Sequence, residues 1–271
     1  MSDLRPFRFG AVMSVRGSAQ EWADSARELE GQGYSTLLVP DTLWTPSPFL
    51  VLAAAAVITT TLRLGTWVAS APLRRPAEVV REVKTLQALA GGRFELGIGA
   101  GRPGGENDAS TLGVAWGSPK ERVDRVEATI EAVRGGVDPA PAIVIAGHGD
   151  RMLRLAGRTA TTLTLPTSPA VDADQLATLT DRVRAVAGAH LELALQVTGV
   201  GDDLPDWLRH QLGLNPDELR AAGAVMMLTG DVERDAAALL ELRSRTGVSY
   251  LTVPGQFATR FAPLVARLAG T

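Results

Sequence analysis

The segment Gly91-Gly92-Arg93-Phe94-Glu95-Leu96-Gly97-Ile98-Gly99-Ala100-Gly101 has the order of a turn, a short buried strand and a glycine-rich exit. Glycines at 97, 99 and 101 leave the backbone bare where the strand ends. A bare backbone allows positive φ in the following loop and the close approach of a flat ligand. Taken alone, the run fits a tight strand end without a ligand equally well. It gains weight because the same order of short strand, small or polar loop and helix recurs along the chain.

Eight short apolar runs with the character of buried parallel strands alternate with helical patterns. The predicted strands are Phe9–Met13, Thr36–Val39, Arg63–Ala69, Phe94–Ile98, Ala142–Ala146, Thr161–Leu165, Leu191–Thr198 and Ser249–Val253. The predicted helices are Ala19–Gln32, Phe49–Thr60, Ala77–Ala90, Pro119–Arg134, Arg151–Arg158, Asp172–Ala187, Asp231–Thr246 and Ala258–Leu268. Eight such pairs in 271 residues predict an α/β fold of the (β/α)8 TIM-barrel type. A doubly wound open sheet is the alternative.

We expect a single domain over residues 1–271, because no linker rich in glycine, serine or proline divides the chain. Residues 199–228 are an irregular insertion between the seventh and eighth strands, in which Asp206–Leu212 and Pro216–Ala222 have helical character. Ser18, followed three residues later by Glu21, predicts a capping box at the start of the first helix.

Composition excludes several classes of function. The net charge is −3, and no basic stripe or acidic tail indicates nucleic acid or an anionic membrane. The chain has no cysteine, which excludes disulfides, thiolate catalysis and zinc–thiolate sites, and its three histidines are too widely spaced for a metal motif. The start, Met1–Pro6, is polar without the apolar core of a signal peptide. The longest apolar run, Phe49–Ile58, is about half a membrane span and predicts a buried helix, so we expect a cytoplasmic protein.

In a TIM barrel the active site lies at the carboxyl ends of the strands. Small and polar residues follow several predicted strands here, so we expect them to surround one mouth. They are Pro40–Trp44 after the second strand, Ala69–Pro72 after the third, Gly99–Asp108 after the fourth, Ala146–Arg151 after the fifth, and Gln196 and Thr198 after the seventh.

The loop after the fifth strand has the pattern of an anion site. Gly147 and Gly149 come directly before a helix start, where free N–H groups and the helix dipole favour a phosphate, and Arg151 would add charge-assisted bonds. The alternative is that Asp150 caps the helix while Arg151 is solvated. His148 is the histidine closest to the predicted mouth, either as a ligand contact or as a structural residue.

Two carboxylates after the fourth strand, Glu106 and Asp108, are candidates for general acid–base catalysis, with solvated loop groups as the alternative. Asp41 either faces the site or forms hydrogen bonds at the strand end. Trp44 and Trp116 are candidates for the pocket wall, whereas Trp67 lies within a strand and is expected in the core.

Together these segments resemble the bacterial-luciferase-like superfamily, and most closely its short F420-dependent oxidoreductases. The resemblance covers nearly the whole chain and is most specific around the fourth strand. The matching blocks are Ser35–Asp41, Thr59–Thr66, Arg75-Pro76, Leu86–Gly101, Arg151–Ala156 and Thr246–Tyr250.

The resemblance implies a TIM barrel that binds F420, or alternatively FMN, at the mouth. It also implies a non-proline cis peptide within Ala69–Ala71, a phosphate loop at Ala146–Met152, and a homodimer. Catalytic roles are expected for Glu106 and Thr42. The expected cofactor-binding residues are Asp41, Ala69, Ser70, Ala71, Gly99, Gly101, Arg102, Ala146, Gly147, His148, Gly149, Arg151 and Met152.

Three departures from the family pattern affect the chemistry. Thr42 stands where the family has a histidine, Arg75 where it has another, and Arg102 where it has an aromatic residue. The family's proton-transfer scheme therefore does not carry over.

Three functions remain open. The first is an F420H2-dependent reductase that transfers a hydride to a C=C or C=N bond of a small molecule, with Glu106 or a water held by Thr42 as the proton source. The second is an FMN-dependent monooxygenase. The third is a barrel without redox chemistry, acting as a cofactor-free enzyme or a binding protein.

Overall fold

The computed structural model describes residues 4–15 and 17–271; Met1–Asp3, part of the predicted polar start, lie outside the described residues. The strands are β1 (Arg8–Val12), β2 (Thr36–Val39), β3 (Arg63–Thr66), β4 (Ala69–Ser70), β5 (Phe94–Gly99), β6 (Ala142–Ala146), β7 (Thr162–Thr164), β8 (Glu192–Gln196), β9 (Gly199–Val200), β10 (Met227–Leu228) and β11 (Val248–Pro254). The helices are α1 (Ala19–Gly31), α2 (Pro48–Ala56), α3 (Pro76–Leu89), α4 (Gly105–Leu112), α5 (Pro119–Gly136), α6 (Asp150–Thr159), α7 (Ala173–Ala187), α8 (Asp206–Leu212), α9 (Pro216–Ala221), α10 (Val232–Thr246) and α11 (Ala258–Leu268).

The large sheet is a closed parallel barrel, which confirms the predicted (β/α)8 fold. Its order is β3-β2-β1-β11-β8-β7-β6-β5-β4, and β5 also pairs with β3. The third barrel strand consists of two pieces, β3 and β4, so the prediction of one continuous strand over Arg63–Ala69 is wrong. The other predicted strands agree within two residues at either end.

The main core lies between the barrel and its helices. Along β5, Phe94, Leu96 and Ile98 are buried in one cluster with Val83 and Leu86 of α3. Because side chains alternate along a strand, the residues between them face the barrel interior. This alternation explains why glutamate and glycines can stand within an otherwise apolar strand.

An ionic cluster fills the amino-terminal half of the barrel. Arg8 pairs with Glu95 at 2.8 Å and with Glu192 at 2.7 Å, and Arg63 also pairs with Glu95. Thr162 donates a hydrogen bond to Glu192 at 2.8 Å. The sequence analysis did not predict this cluster. Each charged residue stands alone within its strand, and the members of the cluster come from five different strands.

The fully buried Tyr250 ring packs against the ionic cluster, with the Arg8 guanidinium 3.6 Å from the ring centre. A Cβ at Gly10 would lie 2.7 Å from the Tyr250 hydroxyl, so glycine is needed there. Burial raises the pKa of Tyr250. Trp67 meets this ring edge-on at a centroid distance of 6.0 Å, yet it is only half-buried. Trp67 thus packs against the inner core cluster of Leu38, Ala194 and Tyr250, in line with the expectation of a core residue, but it remains partly exposed.

The insertion after β8 has a small core of its own. Strands β9 and β10 pair in parallel, and α8 and α9 lie between them in sequence, close to their predicted bounds. The buried residues that form this small core are Leu204, Leu208, Leu219, Ala224 and Met227.

Helix α2 differs from the predicted buried helix. It ends at Ala56, and while Leu52 and Ala55 are buried, Leu50 is 73% and Val57 65% exposed. The sequence of this helix contains no charged residue, so nothing in it indicated which side of the helix would be exposed. Within the described residues, no helix combines the length and apolarity required to cross a membrane.

The carboxylate of Glu30 holds the turn between α2 and β3. It accepts backbone N–H bonds from Thr60 at 2.8 Å, Thr61 at 2.5 Å and Leu62 at 2.8 Å. Partial burial alone would raise the pKa of Glu30, but these donors outweigh it and lower the pKa to about 2. The predicted capping box of Ser18 and Glu21 is also present, at the other end of the same helix α1.

We expect Glu30→Gln to weaken this turn. The folded-state pKa lies below the unfolded value of about 4.3, so the charge stabilises the fold above that pH and ceases to do so as the pH falls toward 2. The variant should lose about 1–2 kcal/mol of unfolding free energy at pH 7, and the difference should narrow below about pH 4 and disappear only as the pH approaches 2. Urea denaturation across pH measures this, with the exposed Glu131→Gln as control. A constant difference at all pH values would contradict the interpretation.

Candidate active site

The break between β3 and β4 lies at the carboxyl-terminal mouth of the barrel. The peptide bond between Trp67 and Val68 is cis, so its predicted position within Ala69–Ala71 is wrong by two residues. No residue type in this stretch marks where such a bond falls, and the resemblance alone placed it. The side chains of Ala69 and Ala71 are buried in the main core, and the predicted contact of these residues with a cofactor remains a prediction.

Ser70 is the residue of this segment that faces the site. It pairs in register with Gly99 of β5. Its Oγ is buried and has no hydrogen-bond partner within the described chain. A buried hydroxyl without a partner is costly, so a ligand that offers it a hydrogen bond would be favoured.

Asp41 is bound on both carboxylate oxygens by neighbouring loops. Arg74 donates from Nε to Oδ2 and from Nη2 to Oδ1, both at 2.8 Å, and the Ser70 N–H donates to Oδ2 at 3.0 Å. The Arg74 guanidinium also lies 4.8 Å from the Phe49 ring. Asp41 thus joins the loops after β2 and β4, which matches the strand-end role left open from the sequence.

Thr42, the candidate catalytic residue beside Asp41, is half-buried. Its Oγ1 lies 2.9 Å from the hydroxyl of Thr45, which in turn reaches the Thr42 carbonyl at 3.1 Å. The Thr42 hydroxyl therefore already forms one hydrogen bond, with the hydroxyl of Thr45.

The glycines of β5 are required by the chain itself. A Cβ at Gly97 would overlap the Thr66 carbonyl, and the Thr66 hydroxyl donates to the Gly97 carbonyl at 2.6 Å. A Cβ at Gly99 would lie 3.0 Å from Val68 and 3.6 Å from the Ala146 Cβ. The broken third strand therefore packs against these glycines, and the space they leave for a ligand is smaller than the sequence pattern indicates.

After β5 the chain enters helix α4, which replaces the glycine-rich loop expected there. Glu106 and Asp108 lie in its first turn, Glu106 exposed and Asp108 buried. The turn begins at Gly104, whose φ is +79°, a value that favours glycine. The two candidate carboxylates thus differ in environment, which their sequence context did not reveal.

Arg102 connects α4 to the loop after β2. Its Nη2 donates to Asp108 Oδ2 at 2.8 Å, and its guanidinium lies 4.1 Å from the centre of the Trp44 ring. Trp44 is 65% exposed, so this cation–π contact lies at the rim of the mouth. Of the two candidate carboxylates, Asp108 is thus held in an ion pair and Glu106 is not.

Trp116 fixes the loop between β5 and α4. Its ring occupies the space that Cβ atoms at Gly101 and Gly105 would fill. Arg122 covers the ring at 4.8 Å and donates to the Ala100 carbonyl at 3.0 Å. Gly101 therefore supports the loop, and its predicted contact with a cofactor remains a prediction.

The predicted phosphate loop leads into helix α6 from Gly149, which has no side chain to cap it. Asp150 does not cap the helix either, because it pairs with Arg182 of α7 at 2.5 Å, and this contact lowers its pKa. The first-turn N–H groups thus keep the character of an anion site.

Other residues of this loop have different surroundings. Arg151 points to α5, where it pairs with Asp124 and donates to the Lys120 carbonyl at 3.1 Å. Met152 is buried against Gly147, and His148 is exposed. Ala146, at the end of β6, is half-buried at the mouth.

The opposite wall of the mouth is polar, and the sequence analysis identified only Gln196 on it. Thr164 and Gln196 are half-buried inward positions at the ends of β7 and β8. Thr252 pairs in register with Gln196, and its buried Oγ1 has no partner within the described chain. The alternation of side chains along the last strand could have predicted that Thr252 faces the barrel interior. That its hydroxyl has no hydrogen-bond partner could only be seen in the folded structure.

These residues fit a flat heteroaromatic ring with polar edges. The small residues Gly99 and Ala146 lie on one side, and Trp67 offers an aromatic surface. The unpartnered hydroxyls of Ser70 and Thr252 offer hydrogen bonds to ring heteroatoms. The uncapped end of α6 fits a phosphate attached to such a ring.

A family model described as luciferase-like monooxygenase matches residues 4–243. The chain belongs to this family. A phthiodiolone/phenolphthiodiolone dimycocerosates ketoreductase of Mycobacterium sp. (strain JLS) is 35% identical over 160 residues, which is 49% of this chain and 41% of that protein. The chain also spans only 61% of the length of curated mycobacterial relatives that it matches at 29% identity.

Two solved structures of this luciferase-like fold are similar over almost the whole chain. An F420-dependent secondary alcohol dehydrogenase in complex with an F420–acetone adduct has a TM-score of 0.73 at 17% identity, with 97% of this chain and 99% of that chain covered. A riboflavin lyase with modified FMN and riboflavin has a TM-score of 0.74 at 15% identity, covering 98% and 93%. At these identities the likeness establishes the fold.

The adjacent residues Arg74 and Arg75 provide a matched test of the luciferase-like mouth. Arg74→Met should cost about 2–4 kcal/mol of unfolding free energy, because it leaves the 9%-exposed Asp41 carboxylate without its cation. Arg75 is 82% exposed beside Glu78, so Arg75→Met should change stability by less than about 0.5 kcal/mol. Urea unfolding compares the two, and equal losses would refute the structural role of Asp41.

Proposed function

We propose that this chain is an F420H2-dependent reductase that reduces a C=C or C=N bond of a small molecule. The mouth supports this proposal, since the uncapped end of α6 follows β6 and the unpartnered Ser70 hydroxyl lies on β4, the two strands that flank the glycine-rich β5. The choice of a deazaflavin rests on the resemblance of the sequence motifs to the F420-dependent branch.

Binding is assigned to the residues around the mouth. Ser70 and Thr252 would bind polar ring atoms through their free hydroxyls, and the N–H groups at the start of α6 would bind the phosphate. Gly99 and Ala146 would allow the ring to approach the barrel floor. The bound cofactor would supply the hydride, while the protein contributes binding and orientation.

Proton supply is assigned to Glu106. Its carboxylate is exposed in the first turn of α4, and the described residues provide it with no ion pair, whereas Arg102 neutralises Asp108. Thr42 cannot act as the family's histidine does, because a hydroxyl does not change its charge near neutral pH. With its partner Thr45, it would instead position a water molecule beside the substrate.

Titration with F420 and, separately, with FMN tests this assignment. We expect micromolar binding of F420, followed by fluorescence quenching, and much weaker binding of FMN. Tighter binding of FMN than of F420 would favour the FMN-dependent monooxygenase, because FMN also has a flat ring with polar edges and a phosphate. Binding of neither compound would favour a barrel without redox chemistry, as the substitutions at Thr42 and Arg102 allow.

We also propose that two copies associate through α2. The exposed side chains of Leu50, Ala54 and Val57 follow the spacing i, i+4, i+7 on one uncharged face of this helix. A second copy would bury the same face by symmetry. We therefore expect a dimer by light scattering and a monomer for Leu50→Lys, with Leu240→Lys of the exposed α10 surface as control. A monomeric wild type would refute the proposal.

A further inference from the structure

A groove lies between α5 and α6 on the outside of the barrel, apart from the ring site. It encloses about 420 Å³ and is lined by Val123, Glu127, Arg151, Arg154, Leu155 and Arg158. Its volume lies in the range of small-molecule sites, about 300–1,000 Å³. The walls contain three guanidinium groups and one carboxylate.

Acidic partners neutralise two of these arginines. Arg151 pairs with Asp124, and Arg158 pairs with Glu127 at 2.8 Å. Arg154 is exposed, and no carboxylate lies within salt-bridge distance of it in residues 4–15 or 17–271. The nearby Asp150 is already paired with Arg182. The groove therefore carries one uncompensated positive charge.

The groove starts where the proposed phosphate site ends. Arg151 is the second residue of α6, and Arg154 and Arg158 follow at helical spacing along the same helix. At 1.5 Å per residue, the three arginines span about 10 Å from the amino-terminal end of α6. A chain that continues from a phosphate at that end can enter the groove directly.

We propose that this groove binds the anionic tail of the cofactor, with Arg154 as its principal contact. This inference rests on the proposed function. F420 continues beyond its phosphate into a chain of γ-linked glutamates, whereas FMN ends at the phosphate. Arg154 would pair with a tail carboxylate, and the arginines on either side would donate further hydrogen bonds from the N–H groups that face the groove.

Three ligands test the proposal: F420 with its glutamate tail, the same deazaflavin with its phosphate but without glutamates, and FMN. We expect the wild type to bind the tailed form about threefold to tenfold more tightly than the tailless form at low salt. High salt should reduce this preference, because the site is exposed. Fluorescence quenching gives the dissociation constants directly.

Substitutions locate the effect. Arg154→Gln should abolish the preference for the tail and leave the affinity for the tailless form unchanged, which also shows that the variant is folded. Arg154→Lys should retain part of the preference, and Arg81→Gln on the exposed surface of α3 should retain all of it.

Equal affinity of the wild type for both deazaflavins would overturn the inference while leaving the proposed function intact. A preference that survives Arg154→Gln would overturn it as well. If the wild type binds neither deazaflavin, the proposed function fails, and the inference fails with it.

Discussion

Inside the amino-terminal half of the barrel, the Arg8 guanidinium lies 3.6 Å from the centre of the Tyr250 ring and pairs with Glu95 and Glu192. These large groups occupy the barrel axis, and the loss of one partner would leave a buried charge. Gly10 is required because the Tyr250 hydroxyl needs its space. In the other half the inward positions include the small or polar residues Gly99, Thr164, Gln196 and Thr252, with Trp67 as the large exception, so the candidate site lies at the carboxyl ends of the strands.

Two ion pairs of different burial organise the mouth. Asp41 and Arg74 join the loops after β2 and β4 in a partly buried, bidentate contact. Arg102 and Asp108 join the start of α4 to the rim, where Trp44 covers the guanidinium. The more buried pair, Asp41 with Arg74, connects the loops at the strand ends, and the more exposed pair, Arg102 with Asp108, lies at the rim of the mouth.

The same arrangement separates the chemical tasks. Asp108 is paired with Arg102 whereas Glu106 is exposed, and for this reason Glu106 is the proton source in the proposed reaction. Asp150 is likewise paired, with Arg182, which frees the amino-terminal end of α6 for an anion. In the proposed complex, Arg154 would extend the positive potential from the start of α6 toward the glutamate tail that distinguishes F420 from FMN.

The sequence by itself determined the barrel, the family and the loops that surround the mouth, because strand and helix periodicity and the Gly91–Gly101 block are local patterns. Only the tertiary structure decided the break at Trp67 and Val68, the exposed face of α2 and the pairing of Arg102 with Asp108. It also revealed that Thr66, Val68 and Trp116 fill space that the glycines leave. These features depend on which distant residues meet across the barrel, and one-dimensional spacing carries no information about such contacts.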